Sequence, residues 1–149
     1  MKSIRSGYWV GPWKEVFAVA DGKKVSLDDI EHGILREQWD EPRVHYAVNC
    51  ASYGCPNLLN TALEAETLDQ QLDAGARAFI NHPRGVTIRR NGTLQVSEIY
   101  KWFQEDFGGS KAKVVEHILE YAEPELAEQI NAKPKITKYE YDWSLNDIQ

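Results

Sequence analysis

Two cysteines, Cys50 and Cys55, sit in Val44-His45-Tyr46-Ala47-Val48-Asn49-Cys50-Ala51-Ser52-Tyr53-Gly54-Cys55-Pro56, the one stretch of this chain whose residue types suit chemistry. A cysteine attacks as its thiolate, so a reactive site must lower the thiol pKa with a nearby base or dipole. His45 and His32 are the candidate bases. The small residues after Cys50 would let the backbone N–H groups of Ala51 to Tyr53 approach an oxyanion. Glu31 precedes His32 as a candidate carboxylate, although neighbours on a helix do not face each other. Asp142 is a candidate third member of a Cys–His–Asp arrangement, and equally a cap for a terminal turn. The catalytic candidates are therefore Cys50, His32, His45, Glu31 and Asp142, with Cys50 as the nucleophile.

Competing readings of the same residues stay open. Free cysteine is among the most buried residue types, so Cys50 also reads as packing. A local Cys50–Cys55 disulfide needs Cα atoms within about 7 Å, which Gly54 makes feasible. His32, His45, Cys50 and Cys55 include zinc-type ligands, but their spacing matches none of the usual Cys-x-x-Cys or His-x-x-x-His pairs. No metal or cofactor is expected. His82, before Pro83, reads as a helix C-terminal group and His117 as a solvated helix residue.

The elements that must position these groups follow from local signals. Ala20-Asp21-Gly22-Lys23 marks a first hairpin. Ser26 with Asp29 predicts a capped helix over Leu27 to Glu37. Val44 to Cys50 alternates as a strand, with His45 on the face opposite Cys50. Thr67 with Gln70 predicts a capping box for a helix reaching Asn81. Val86 to Val96, around Asn91-Gly92, predicts a hairpin with a mirror-image turn. Ser97 to Phe107 closes at Gly108, Val114 to Tyr121 and Glu125 to Ile130 read as helices, and Ile136 to Tyr141 as a last strand. An irregular aromatic lead-in precedes Trp13. The mixture predicts a single α+β domain over residues 1–149, with a partly antiparallel sheet and several packed helices.

Composition narrows the partners. The chain has 149 residues, 17 basic and 23 acidic side chains, and a net charge of −6. It lacks the clustered Lys and Arg that neutralise phosphates, so no nucleic-acid partner is expected. No apolar run reaches the eighteen or so residues of a membrane helix, so membrane insertion is not expected. The first residues do not form a secretory signal.

Three blocks carry a family resemblance: Ser26-Leu-Asp-Asp-Ile-Glu-His-Gly-Ile-Leu-Arg36, Glu41-Pro-Arg-Val-His-Tyr-Ala-Val-Asn-Cys-Ala-Ser-Tyr-Gly-Cys-Pro56 and Tyr141-Asp-Trp-Ser-Leu-Asn146. In this order the chain resembles family 547 of the domains of unknown function, from about Ser3 to Asn146. Trp102 and Asp106-Phe107 also fall where that family tends to have an aromatic and an Asp-Phe pair. The resemblance implies that Glu31, His32, Cys50 and Cys55 are typical polar features, and it carries no settled activity. Bacterial members are often exported, which implies a periplasmic or extracellular location. Members usually carry further helical sequence before this region, so the chain is expected to lack that part, and a homodimer would cover the surface left open. Two functional expectations result. One is a cysteine-dependent hydrolase or acyl transferase; the other is a non-catalytic module that binds a peptide or small molecule, with Cys50 as packing.

Overall fold

A computed structural model of the chain describes residues 12–146, and the lead-in before Pro12 lies outside the described residues. Strands β1 (Val16–Ala20) and β2 (Lys23–Ser26) pair antiparallel. They turn through Asp21 (φ 48°) and Gly22 (φ 73°). Two consecutive positive φ angles define the mirror-image turn that matches strand twist, and an Asp-Gly pair tolerates both. Ser26 then forms a reciprocal capping box. Its Oγ accepts from the Asp29 N–H at 3.1 Å, and an Asp29 carboxylate oxygen accepts from the Ser26 N–H at 2.8 Å. The expected helix follows, but its middle, Asp29–Leu35, is wound as a wider π-helical turn that passes into α1 (Arg36–Gln38). The Arg36 N–H accordingly reaches the Glu31 carbonyl, five residues back.

The strand expected from Val44 to Cys50 does not form. Pro42–Tyr46 is instead a 3-10 helix. Pro42 supplies a preset φ at the first helical position, and the Glu41 side chain accepts from the Arg43 N–H at 3.0 Å. The Arg43 guanidinium holds Glu41, Asp69 and Asp73 together. A half-buried strand would alternate its exposure, yet His45 and Tyr46 are both buried. Tyr46 packs toward Phe79 and His45 stacks on Phe103, so adjacent side chains face different walls.

The 3-10 helix lies against α2 (Leu68–Ile80), whose Leu72, Ala76, Phe79 and Ile80 form its buried stripe. The capping box expected at Thr67 with Gln70 does not form, because the Thr67 side chain caps no N–H of α2. Gln71, not Gln70, turns back to accept from the Glu64 N–H at 2.9 Å and from the Thr67 hydroxyl.

Strands β3 (Val86–Ile88) and β4 (Leu94–Ser97) form the second expected hairpin. Its turn differs from the expected mirror-image type: Gly92 takes φ 79° while Asn91 stays at negative φ. After α3 (Ile99–Trp102), α4 (Lys111–Tyr121) and α5 (Pro124–Ala132), strand β5 (Ile136–Glu140) pairs with β4 in parallel. α3 is shorter than expected, because turns replace it from Phe103 to Gly108. The second sheet therefore runs β3-β4-β5, separate from β1-β2. The fold is α+β.

β4 is the central strand, and its Leu94 and Val96 are fully buried with Ile80, Val114, Ile118 and Ile130 around them. Each such side chain contributes roughly 1.5–3 kcal/mol of transfer free energy. The core also encloses a polar group. His117, expected on a solvated face, is buried, with Nε2 at 2.9 Å from the Tyr46 hydroxyl, which in turn donates to Tyr100 at 3.2 Å. Burial pushes the His117 pKa down to about 4.

An imidazole of ordinary pKa near 6.5 in the unfolded chain takes up a proton that the folded state refuses. Above pH 6.5 both states hold it neutral and its contribution is complete; between pH 6.5 and 4 stability falls as pH falls. Urea denaturation across that window should show a loss on the order of 2–3 kcal/mol from this group. His117→Gln, with no titrating ring, should flatten the slope relative to the parent.

Candidate functional site

The loop after the 3-10 helix is fixed from both sides. The Asn49 side chain accepts from the Ala51 N–H at 2.8 Å and donates to the Pro56 carbonyl at 2.7 Å. Ala51 takes φ 59°, a left-handed conformation unfavourable for a residue with a Cβ. The segment after β5 runs alongside. The N–H groups of Tyr53 and Gly54 donate to the carbonyls of Ser144 and Asp142, both at 2.8 Å, and the Asn146 N–H donates to Ala51 at 2.9 Å. Gly54 is required for this approach, because a Cβ there would lie 2.8 Å from the Asp142 nitrogen. On the outer side, Arg84 donates to the carbonyls of Tyr53 and Cys55 at 3.0 and 2.9 Å. His82 steadies that arginine, its Nδ1 accepting from the Arg84 backbone N–H and Nε at 3.1 and 3.2 Å, in place of the helix-end role expected for it.

Within this frame Cys50 and Cys55 are joined as a disulfide, with Cα atoms 6.2 Å apart. Two hydroxyls face the sulfurs. Tyr141 Oη lies 3.0 Å from Cys50 Sγ and 3.1 Å from Cys55 Sγ, and Ser52 Oγ lies 3.1 Å from Cys50 Sγ. Disulfide sulfurs carry no proton and only accept; the two hydroxyls also lie 2.6 Å from each other, so one donates to the other and the second donates to sulfur. The Cys50 backbone N–H also points at Cys55 Sγ, at 3.0 Å. Cys55 is buried and Cys50 is half-buried.

Cys50, Cys55, His45, His32 and Glu31 all line one cavity of about 280 Å³. Its other walls are mainly aromatic: Trp13, Trp102, Phe103, Tyr141 and Trp143. Tyr141 packs on Trp102 and Trp143, with ring centroids 4.8 and 4.6 Å apart. His45 does not lie on a strand face opposite Cys50, because no strand is present there. The π-helical turn brings the consecutive residues Glu31 and His32 to the same cavity. Burial raises the Glu31 pKa, against the pull of His32 and Arg36. His32 Nδ1 sits 2.9 Å from an Arg36 terminal nitrogen.

His45 has a partner that sequence reasoning did not assign. Its Nε2 is 2.7 Å from Asp106 Oδ2, and the same carboxylate accepts two hydrogen bonds from Arg36, at 2.5 and 2.7 Å. The Arg36 hydrogen bonds hold the Asp106 carboxyl below the usual range. Burial lowers the His45 pKa, and Asp106 opposes that shift. The ring is therefore neutral near pH 7, with Nδ1 as the nitrogen not held by Asp106. Asp142, the candidate third member, does not line the cavity. It is exposed, and its carboxylate accepts from the Ser144 N–H at 2.8 Å, which is the turn-capping role. Among the described residues, no group of three or more His, Cys, Asp or Glu side chains gathers as a metal site. No helix of the described residues is long and apolar enough to cross a membrane.

A family described as "Protein of unknown function, DUF547" matches residues 6–80, half of the chain. The chain belongs to this family. No curated protein and no solved structure matches it at a significant level. The matched stretch holds the π-helical turn, the 3-10 helix and both cysteines, whereas Asp106 and Tyr141, which bind to them, lie beyond it.

Removing the Asp106 charge tests the central bond set. Asp106→Asn should destabilise the fold on the order of 2–3 kcal/mol, the scale of hydrogen bonds to charged groups. NMR titration should show the His45 pKa falling further, since the group opposing its burial shift is gone. A His45 pKa that rises or stays fixed would show that Asp106 does not act on the ring.

Proposed function

We propose that the reduced form of this chain is a cysteine-dependent acyl-transfer enzyme or hydrolase, with Cys50 as nucleophile and His45 as base. One observation carries the reading: Cys50 and the Asp106-bound His45 open on the same largely apolar cavity. In the reaction, the Cys50 proton passes to His45 Nδ1 and the thiolate adds to a carbonyl carbon. Collapse of the adduct expels the leaving group, which takes the proton back from His45. The result is a thioester that water then cleaves. Asp106 holds the ring in one orientation and favours its protonated form. Glu31 and His32 lie on the cavity wall as substrate-orienting groups, and the aromatic walls suit an apolar or flat acyl chain.

The alternative, a module that binds a small molecule or short peptide without chemistry, draws on a different observation. Two of the three N–H groups expected to face an oxyanion, those of Ala51 and Tyr53, are engaged by Asn49 and Ser144. Cys50 itself is disulfide-bonded.

The two readings separate on protein reduced beforehand. For the enzyme, Cys50 should be alkylated by iodoacetamide with an apparent pKa below the ordinary value of about 8.5. p-Nitrophenyl acetate should give a burst of one equivalent of nitrophenolate that Cys50→Ser abolishes and His45→Asn slows at least tenfold. Ordinary thiol reactivity and no burst would sink the enzyme reading and leave binding in the cavity.

A further inference from the structure

The disulfide has an asymmetry that the acyl-transfer reading does not use. Cys50 lies half-buried on the cavity wall, whereas Cys55 is buried at 4% exposure. The polar neighbours of the two sulfurs differ in kind: Cys50 Sγ has the Ser52 and Tyr141 hydroxyls at 3.1 and 3.0 Å. Cys55 Sγ alone receives a backbone donor, the Cys50 N–H at 3.0 Å, and lies 3.1 Å from the same Tyr141 hydroxyl. The Arg84 guanidinium adds a positive charge bound to the Cys55 carbonyl at 2.9 Å. Both cysteines line the cavity, but Cys50 is the more exposed, and Cys55, which holds the backbone donor, is the better placed to leave as an anion. Thiol–disulfide exchange needs that division, because its rate depends on access to the attacked sulfur and on a low pKa of the departing thiol.

We propose that the Cys50–Cys55 pair is an exchange-active disulfide that reacts through Cys50 with low-molecular-weight thiols entering the cavity. A cavity of about 280 Å³ suits a small thiol rather than a protein segment. The thiolate R–S⁻ attacks Cys50 Sγ. An R–S–S–Cys50 bond forms, the Cys50–Cys55 bond breaks, and its electron pair leaves on Cys55 Sγ, where the Cys50 N–H and the Tyr141 hydroxyl receive the charge. A second thiolate attacks the mixed disulfide at the R sulfur, forming RSSR and releasing Cys50 as a thiolate. In total two R–SH are oxidised to RSSR, and the two cysteines are reduced and pick up the two protons. The inference does not need His45, and so goes beyond the acyl-transfer reading.

The test uses the oxidised full chain and reduced glutathione under native conditions, with an acid quench, alkylation and mass spectrometry. Exchange at Cys50 predicts a glutathione adduct on Cys50 and none on Cys55, with Tyr141→Phe slowing its formation at least fivefold. Loss of a leaving-group donor, unlike loss of packing, should also make the rate more sensitive to pH where Cys55 must leave as an anion. Cys55→Ser should form a mixed disulfide with oxidised glutathione at least tenfold faster than Cys50→Ser does. A pair that resists millimolar glutathione until denaturant is added is a brace, and the proposal fails. An adduct on Cys55 overturns it as well, as does a protein that keeps two thiols in excess oxidised glutathione. Any of these leaves the acyl-transfer reading standing, because that reading is measured on protein already reduced.

Discussion

The carboxylate of Asp106 ties together stretches of chain that share no regular secondary structure. It accepts from Arg36, at the end of the π-helical turn, and binds His45 in the 3-10 helix, while itself sitting in the turns after α3. Each of those stretches is short and would not hold its shape alone, since a few residues of helix form too few hydrogen bonds to offset the backbone entropy they lose. A bidentate charge-assisted pair with a third bond to a buried imidazole supplies the missing constraint. The cavity walls follow from it. His45, held against Phe103, lines the cavity with Val48 and Cys50, and Glu31 and His32 line it from the turn that ends at Arg36.

The second constraint is the lacing of the cysteine loop to the segment beyond β5. The Tyr53, Gly54 and Asn146 bonds form a backbone ladder without a side chain at its closest point, because Gly54 has none. That ladder carries Tyr141 to the sulfurs and leaves Asp142 outside. The imidazole and the sulfurs are therefore held by different supports, the first by the turns before α4 and the second by the segment after β5.

Local signals in the sequence account for much of the fold. The Ser26–Asp29 box, both hairpins, α2, α4 and α5 each rest on contacts within a few residues, and each forms where it is expected; β5 also forms as expected, through pairing with the distant β4. The stretch around the cysteines is different. Val44, Tyr46 and Val48 alternate as a strand would, but Glu41 and Pro42 start a 3-10 helix, and adjacent burial of His45 and Tyr46 depends on Phe103 and Phe79, which lie far away in sequence. The candidate site was legible in part for the same reason. Cys50, His45, His32 and Glu31 meet at one cavity. The carboxylate that holds the imidazole is 61 residues from it, and no local pattern marks it beyond the Asp-Phe pair of the family resemblance. At the far end, the residue facing the sulfurs is Tyr141, one position before the Asp142 that chemistry alone would select.

Tyr141 lies 91 residues after Cys50. A ribosome adding about 5–20 residues per second takes roughly 5–20 s to cover that distance. For the last 86 residues of that interval both cysteines exist without the Tyr141 hydroxyl that later faces them and without the ladder that shapes their loop. The order of synthesis thus separates the first opportunity for the two sulfurs to join from the moment their surroundings are complete. Any pairing during elongation takes place without the Tyr141 hydroxyl, which reaches the sulfurs only once the segment beyond β5 docks.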